Sequence, residues 1–223
     1  MAVANPTQKV TYKTPAGVPA SSAVLTLASA PTVGSLLIGY IVCWQSPNSN
    51  TPAGWTLLDT LTQTDVCIRT FTKISNGTET STTLSMNSSD FWTAAIMEWP
   101  KTVVNAVEQH NLVSNATATA LTSTAIIPTT LNDVILAICG ISTGVVTNPT
   151  QTLAIGAGYT LGASLVPDYN SSCFGWLANT TTDTSTAQSV AFTSNFSVNM
   201  IINNISLKLA AAVAKNGMLA FFK

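Results

Sequence analysis

The residues able to do chemistry are few and scattered. One histidine, His110, stands in AVEQHNL without a second imidazole anywhere in the chain. The nine acids are Asp59, Asp65, Asp90, Asp133, Asp168, Asp183, Glu79, Glu98 and Glu108. Acid–base catalysis needs titratable groups that converge on one point. Glu98 and Glu108 flank a turn, and a paired-carboxylate glycosidase is the one reaction that their spacing could serve. No GxSxG, Walker A, GxGxxG or EF-hand pattern occurs. The run AIGAGYTLG is glycine-rich, but it lies in strand-like text without the helix that makes a phosphate site. The expectation is a chain that is not an enzyme, with no catalytic residues, no cofactor and no metal.

Cys43, Cys67, Cys139 and Cys173 are spaced by 24, 72 and 34 residues, and no CxxC pair exists. Each sits in apolar or β-like text such as YIVCW or VILAICG. Four buried, reduced thiols packing as small hydrophobes is the expected state, with a disulfide as the alternative. Trp55 follows a Pro/Gly turn in PAGWT. It reads as a plug at the end of a sandwich, or else as a platform on which a sugar ring could stack. Met218, Leu219, Phe221 and Phe222 place four large apolar residues among the last six. Such an end needs a cover, either its own domain or a neighbouring subunit, so these four are the candidate assembly contacts.

The elements that must position these residues follow from composition. Thr, Ser and Asn number 35, 22 and 17, while charged residues are 8% of 223. A typical chain carries about 25% charge. Net charge is -1 and hydrophobic residues are 46%, which argues against both nucleic-acid binding and disorder. The longest apolar run, VGSLLIGYIVCW, is too short to span a bilayer, which takes about 20 residues. MAVANPTQKV lacks the charged and apolar regions of a secretory leader, so a chain made and kept in a cytoplasm, or released by lysis, is expected.

Thr, Val, Ile and aromatics favour strands, whereas Glu and Lys total only 10. TDVCIRTFTKI alternates as a half-buried strand, and Ser75-Asn76-Gly77 after it signals a hairpin returning along TETSTTLSM. FWTAAIMEW reads as a buried central strand ended by Pro100. Further strands are expected at Val10–Lys13, Ala23–Leu27, Ser35–Trp44, Trp55–Leu61, Val103–Gln109 and Ala116–Ile127. The remainder are expected at Asp133–Ile141, Gln151–Leu165, Ser172–Ala178, Ser189–Thr193 and Met200–Leu209.

The text also repeats. APTVGSLLIGYIVCW matches IPTTLNDVILAICGI, PAGWTLLDTL matches GAGYTLGASL, and the segment from Asp65 matches that from Ser171. FWTAAIMEW then corresponds to NMIINNISL. The offsets are 97 for Pro31/Pro128, 104 for Gly54/Gly158 and 106 for Cys67/Cys173. The predicted architecture is all-β: an antiparallel, jelly-roll-like two-sheet sandwich from an internal duplication of about four strands per half. Residues 1–20 read as an extended arm and 21–209 as the sandwich, with halves 21–110 and 111–209 interleaved. Residues 210–223 form an apolar tail.

The series GSLLIGYIVCW, TPAGWTLL, an alternating strand and FWTAAIMEW resembles the PAGWT-type β-sandwich domains of tailed-bacteriophage virion proteins. That family includes head decoration and tail-fibre proteins. The resemblance covers Ala23 to Trp99 well and extends more weakly to Leu209, where GYT replaces GWT. It implies a virion structural protein without enzymatic residues. A capsid decoration or cement protein is the expected role, with the major capsid protein or other virion proteins as partners. A homo-oligomer, trimeric if it caps a three-fold axis, is expected, and nucleic acid and membrane are not. The alternative is a tail-fibre or receptor-binding module that contacts host glycan.

Overall fold

The computed structural model describes residues 5–44, 49–100, 104–129, 133–142, 152–166, 170–177 and 186–209. Seven strands come from the first half: β1 (Gln8–Lys13), β2 (Ala20–Thr26), β3 (Leu36–Cys43), β4 (Thr56–Gln63), β5 (Val66–Ile74), β6 (Ser81–Asp90) and β7 (Thr93–Trp99). Six come from the second: β8 (Val104–Thr122), β9 (Val134–Ser142), β10 (Leu153–Ile155), β11 (Thr160–Leu165), β12 (Asn170–Leu177) and β13 (Ala191–Leu209). The described residues contain no helix, as the threonine-rich, Glu- and Lys-poor composition requires.

Each half builds its own sheet. The first is ordered β1-β7-β3-β5-β4, and the second β10-β13-β9-β12-β11 with β8 also on β13. All pairing is antiparallel, and among the described strands none crosses between halves. The expected interleaving of halves is therefore replaced by one sheet per half. Within the first half the pairing is nested, β3 with β5, β2 with β6 and β1 with β7, like a long hairpin folded over. β2 and β6 form a separate two-stranded sheet that covers the back of the first sheet.

The second half repeats this order strand by strand. Val42 pairs with Thr93, and Gly140 with Ile201. Lys13 faces Thr93 as Ser114 faces Ile201. Register along β4/β5 breaks between Leu57 and Asp59, and along β11/β12 between Leu161 and Ala163, the same place at an offset of 104. The strand offsets are 101 for β1 in β8, 98 for β3 in β9, 104 for β4 and β5 in β11 and β12, and 108 for β7 in β13. The Gly54/Gly158 and FWTAAIMEW correspondences read from the text coincide with this register. The Cys67/Cys173 match does not, since Cys67 falls on Ser171 instead, and the Pro31/Pro128 alignment runs one residue off the β3/β9 offset.

Four other expectations change. Residues 8–13 of the supposed arm form β1 and pair with β7 along six rungs, because Val10 and Tyr12 pack into the core under β2 and β6. The two strands expected from 103 to 127 are one 19-residue strand, and so are the two from 189 to 209. They pass from layer to layer through irregularities beside Thr117, at φ 63, and between Thr193 and Met200. Residues 151–165 split into β10 and β11 at a turn whose Gly158 sits at φ 90. Lastly, β5 and β6 do not pair. Ser75-Asn76-Gly77 carries the chain from the first sheet to the covering ribbon rather than closing a hairpin.

The two large sheets pack face to face. Leu36, Ile38, Tyr40, Val42, Ile68, Met97 and Trp99 meet Val134, Leu136, Ile138, Phe174, Trp176, Ile201 and Ile205 in one core. Each sheet is also covered behind, which is why β3, β7 and β9 are buried along their whole length. The halves meet as an isologous pair would. β4 packs on β8 and β1 on β11; β5 packs on β13 and β7 on β12. Val42 and Gly140, equivalent positions, touch one another, and a Cβ on Gly140 would stand 2.9 Å from both Val42 methyls.

Candidate functional site

The sequence-singled aromatic Trp55 lies beside an open cleft of about 240 Å³ lined by Pro52, Ala53, Lys73, Glu79, Ser81, Thr82 and Thr83 as well. The turn that delivers it needs glycine: Gly54 has φ 76, and the Trp55 N–H donates to the Pro52 carbonyl at 3.1 Å. Trp55 itself is only 9% exposed and packs over Gly39, where a Cβ would lie 3.5 Å from the indole. It is mainly core, with little ring surface left for a ligand. Its counterpart Tyr159 packs at the margin of the second half's outer core.

One wall of the cleft is an ion pair. Lys73 Nζ lies 3.1 Å from Glu79 Oε1. Burial pushes the Glu79 carboxyl up, but the Asn76 N–H, the Ser75 hydroxyl and the Lys73 ammonium outweigh it and hold it down to about 2. Ser75 Oγ donates to Glu79 at 2.8 Å, and the Asn76 and Thr78 N–H groups donate at 3.1 and 3.2 Å. The opposite wall carries the β6 hydroxyls Ser81, Thr82 and Thr83. Such a surface can accept and donate hydrogen bonds to a neutral polyol.

Three further acids, Glu98, Glu108 and Asp90, hold backbone and side-chain donors of the fold. Glu98 accepts from Gln8 Nε2 and the Thr32 N–H, both at 2.7 Å. Burial raises its pKa, but Gln8, Thr32, Ser35 and Thr7 reverse the shift and leave it lowered. Glu108 does the same for the second half, taking the Thr129 hydroxyl and N–H and the Ser206 hydroxyl. Glu98 and Glu108 thus each tie down the Pro-Thr segment before a central strand, within their own halves. Asp90 accepts from the Trp44 and Phe91 N–H groups at 2.9 and 2.7 Å, and its pKa is raised by burial.

His110 has a partner that sequence could not supply. Its Nδ1 lies 2.8 Å from Asp59 Oδ2, across the contact between β8 and β4. Asp59 also accepts from Asn203 Nδ2 at 2.9 Å, and the same amide donates to Thr70 at 3.0 Å. Lys9, at the position matching His110, donates to the Gly162 carbonyl on β11. Tyr40, Ser172 and Thr93 form a third bridge, at 3.0 and 2.8 Å. These contacts sew one half to the other.

None of the four cysteines is in a disulfide, and all four are buried. No group of three metal-ligating side chains occurs among the described residues. Met218, Leu219, Phe221 and Phe222 lie outside the described residues, as does the tail 210–223. The fold defines an all-β protein of two face-packed antiparallel sheets, each half wrapped by its own outer layer. No family model, no curated protein and no solved structure matches the chain.

Proposed function

We propose that this chain is a virion structural protein of the decoration or cement kind, acting by association through strand edges and termini. The observation that carries the reading is the β2–β6 ribbon. β2 (ASSAVLT) pairs on one side only, and neither strand contains Lys or Arg. Val24 is 63% exposed in it. Natural edge strands are usually guarded by charge, proline or a bulge. An edge left uncharged suits packing against copies of itself or a shell. The nested pairing in each half further supports a jelly-roll-like reading, and the matching strand order supports an internal duplication.

The test is self-association and binding of the full chain to purified phage heads. Oligomers by light scattering and hundreds of copies per head support the reading, and Val24→Lys should weaken both. A monomer at high concentration that binds no head overturns it. Deleting Lys215–Lys223 asks separately whether the apolar tail contributes, and undiminished binding removes it from the mechanism.

The cleft beside Trp55 favours one second reading, a receptor-binding module that holds host glycan between the PAGWT turn and β6. Binding on a glycan array that is lost in Thr83→Val would support it.

A further inference from the structure

The register of the sheets brings the four cysteines together two by two. Cys43 on β3 stands directly opposite Cys67 on β5, and Cys139 on β9 directly opposite Cys173 on β12. A strand residue has at most two direct partners, and both pairs use one. The second pair is no copy of the first. Cys43 and Cys67 correspond to Ile141 and Ser171, one same-face rung away from Cys139 and Cys173. Each pair is thus opposed on its own account.

Opposite residues on antiparallel strands have Cα atoms about 4.5 or 5.5 Å apart, and both separations lie in the range a disulfide spans without backbone movement. We propose that Cys43 and Cys67 form a reversible dithiol–disulfide couple that cross-links β3 to β5, exchanging with a low-molecular-weight disulfide such as oxidised glutathione. Both side chains point into the layer beneath the β2–β6 ribbon, packed with Trp92 and Phe71. The Cys43 thiol lies within hydrogen-bonding reach of the Cys67 thiol, whose own S–H donates to the Ile68 carbonyl at 3.8 Å. The Cys43 contact outweighs burial, and with help from the Thr62 and Thr60 hydroxyls and the Arg69 guanidinium it holds Cys67 down to about 6. The pair also sits at a sheet end, Cys43 being the last residue of β3, where local opening costs least.

The other pair differs in both respects. Cys139 and Cys173 lie in mid-strand, and burial pushes Cys173 up to about 12 and Cys139 well above its ordinary value. It serves as an internal control.

The exchange balances without any other reactant. The Cys67 thiolate attacks one sulfur of the small disulfide and expels one thiolate, leaving a mixed disulfide on Cys67. Cys43 then gives up its proton and attacks the Cys67 sulfur, expelling the second. Two protein thiols are oxidised, and one small disulfide is reduced to two thiols.

The experiment incubates the full chain, native, in graded glutathione redox buffers, then counts free thiols and maps linked peptides by mass. The expected result is loss of two of the four thiols, a Cys43–Cys67 linkage, full recovery on reduction, and Cys139 and Cys173 still free. Cys43→Ala should instead accumulate glutathione on Cys67. Four thiols that persist under excess oxidised glutathione overturn the proposal, and so does any other linkage in the wild-type map, whether or not the variant folds.

Discussion

Glu79 shows how a residue in a chain this poor in charge is used. Its carboxylate takes a hydroxyl and two backbone N–H groups from one crossover loop, and an ammonium from the end of β5. The folded carboxyl is held at about 2 against an ordinary 4.5, so the stability it contributes is present above about pH 4.5. That stability is lost as pH falls from 4.5 toward 2. Glu79→Gln should cost about 2 kcal/mol at neutral pH and flatten the acid limb of the unfolding curve. Urea melts at pH 7 and pH 3 check this, since the gap between the two proteins should shrink markedly at the lower pH. Trp55→Ala tests the other sequence-marked residue. As a core side chain over Gly39 it should cost about 3 kcal/mol. A cost below about 1 kcal/mol would instead return Trp55 to the surface role. The acids were legible as types, but their partners were not. The His110–Asp59 pair was not, since 51 residues of chain separate partners that meet only across two sheets.

At the level of elements, the alternation and apolar runs located most strands, and FWTAAIMEW was read as central because both of its faces are apolar. TDVCIRTFTKI read as half-buried, yet β5 is covered on both faces, Val66 and Ile68 by the opposite sheet and Cys67 and Phe71 by the ribbon. Arg69 and Lys73 on the Cys67 face suggested solvent there. The Asn-Gly turn misled in the same way. Gly77 is needed for its φ of 89 and because a Cβ there would strike Val33 at 2.7 Å, which serves a crossover as well as a hairpin. Gly140 supplies the sharpest test of how the elements pack. Gly140→Val should overpack the inter-sheet core and cost about 2–3 kcal/mol. Adding Val42→Gly, its equivalent position, should recover part of that loss by moving the valine across the contact. Double-mutant denaturation reads the coupling, and strict additivity would argue against the contact.

Over the whole molecule, two matching sheets meet through equivalent faces, as two subunits of a dimer would. A first half expressed alone, residues 1–100, would expose Leu36, Ile38, Tyr40, Val42, Ile68, Met97 and Trp99 together. It should therefore pair with itself or aggregate, and light scattering on the purified fragment distinguishes this from a well-behaved monomer, which would contradict the packing. The same comparison explains the polar bridges. His110–Asp59 and Lys9–Gly162 occupy matching places on the two sides, and hold the register of one half on the other.

The sequence by itself determined that this chain is all-β and low in charge, and it carries two similar stretches of text. Those properties follow from side-chain propensity and periodicity, which act over a few residues at a time. Only the tertiary structure decided that each stretch makes its own sheet, that β1 lies in the first sheet, and that the cysteines stand opposed in pairs. Strand partners are chosen by burying both faces of a sheet at once, and that choice depends on residues far apart in the chain.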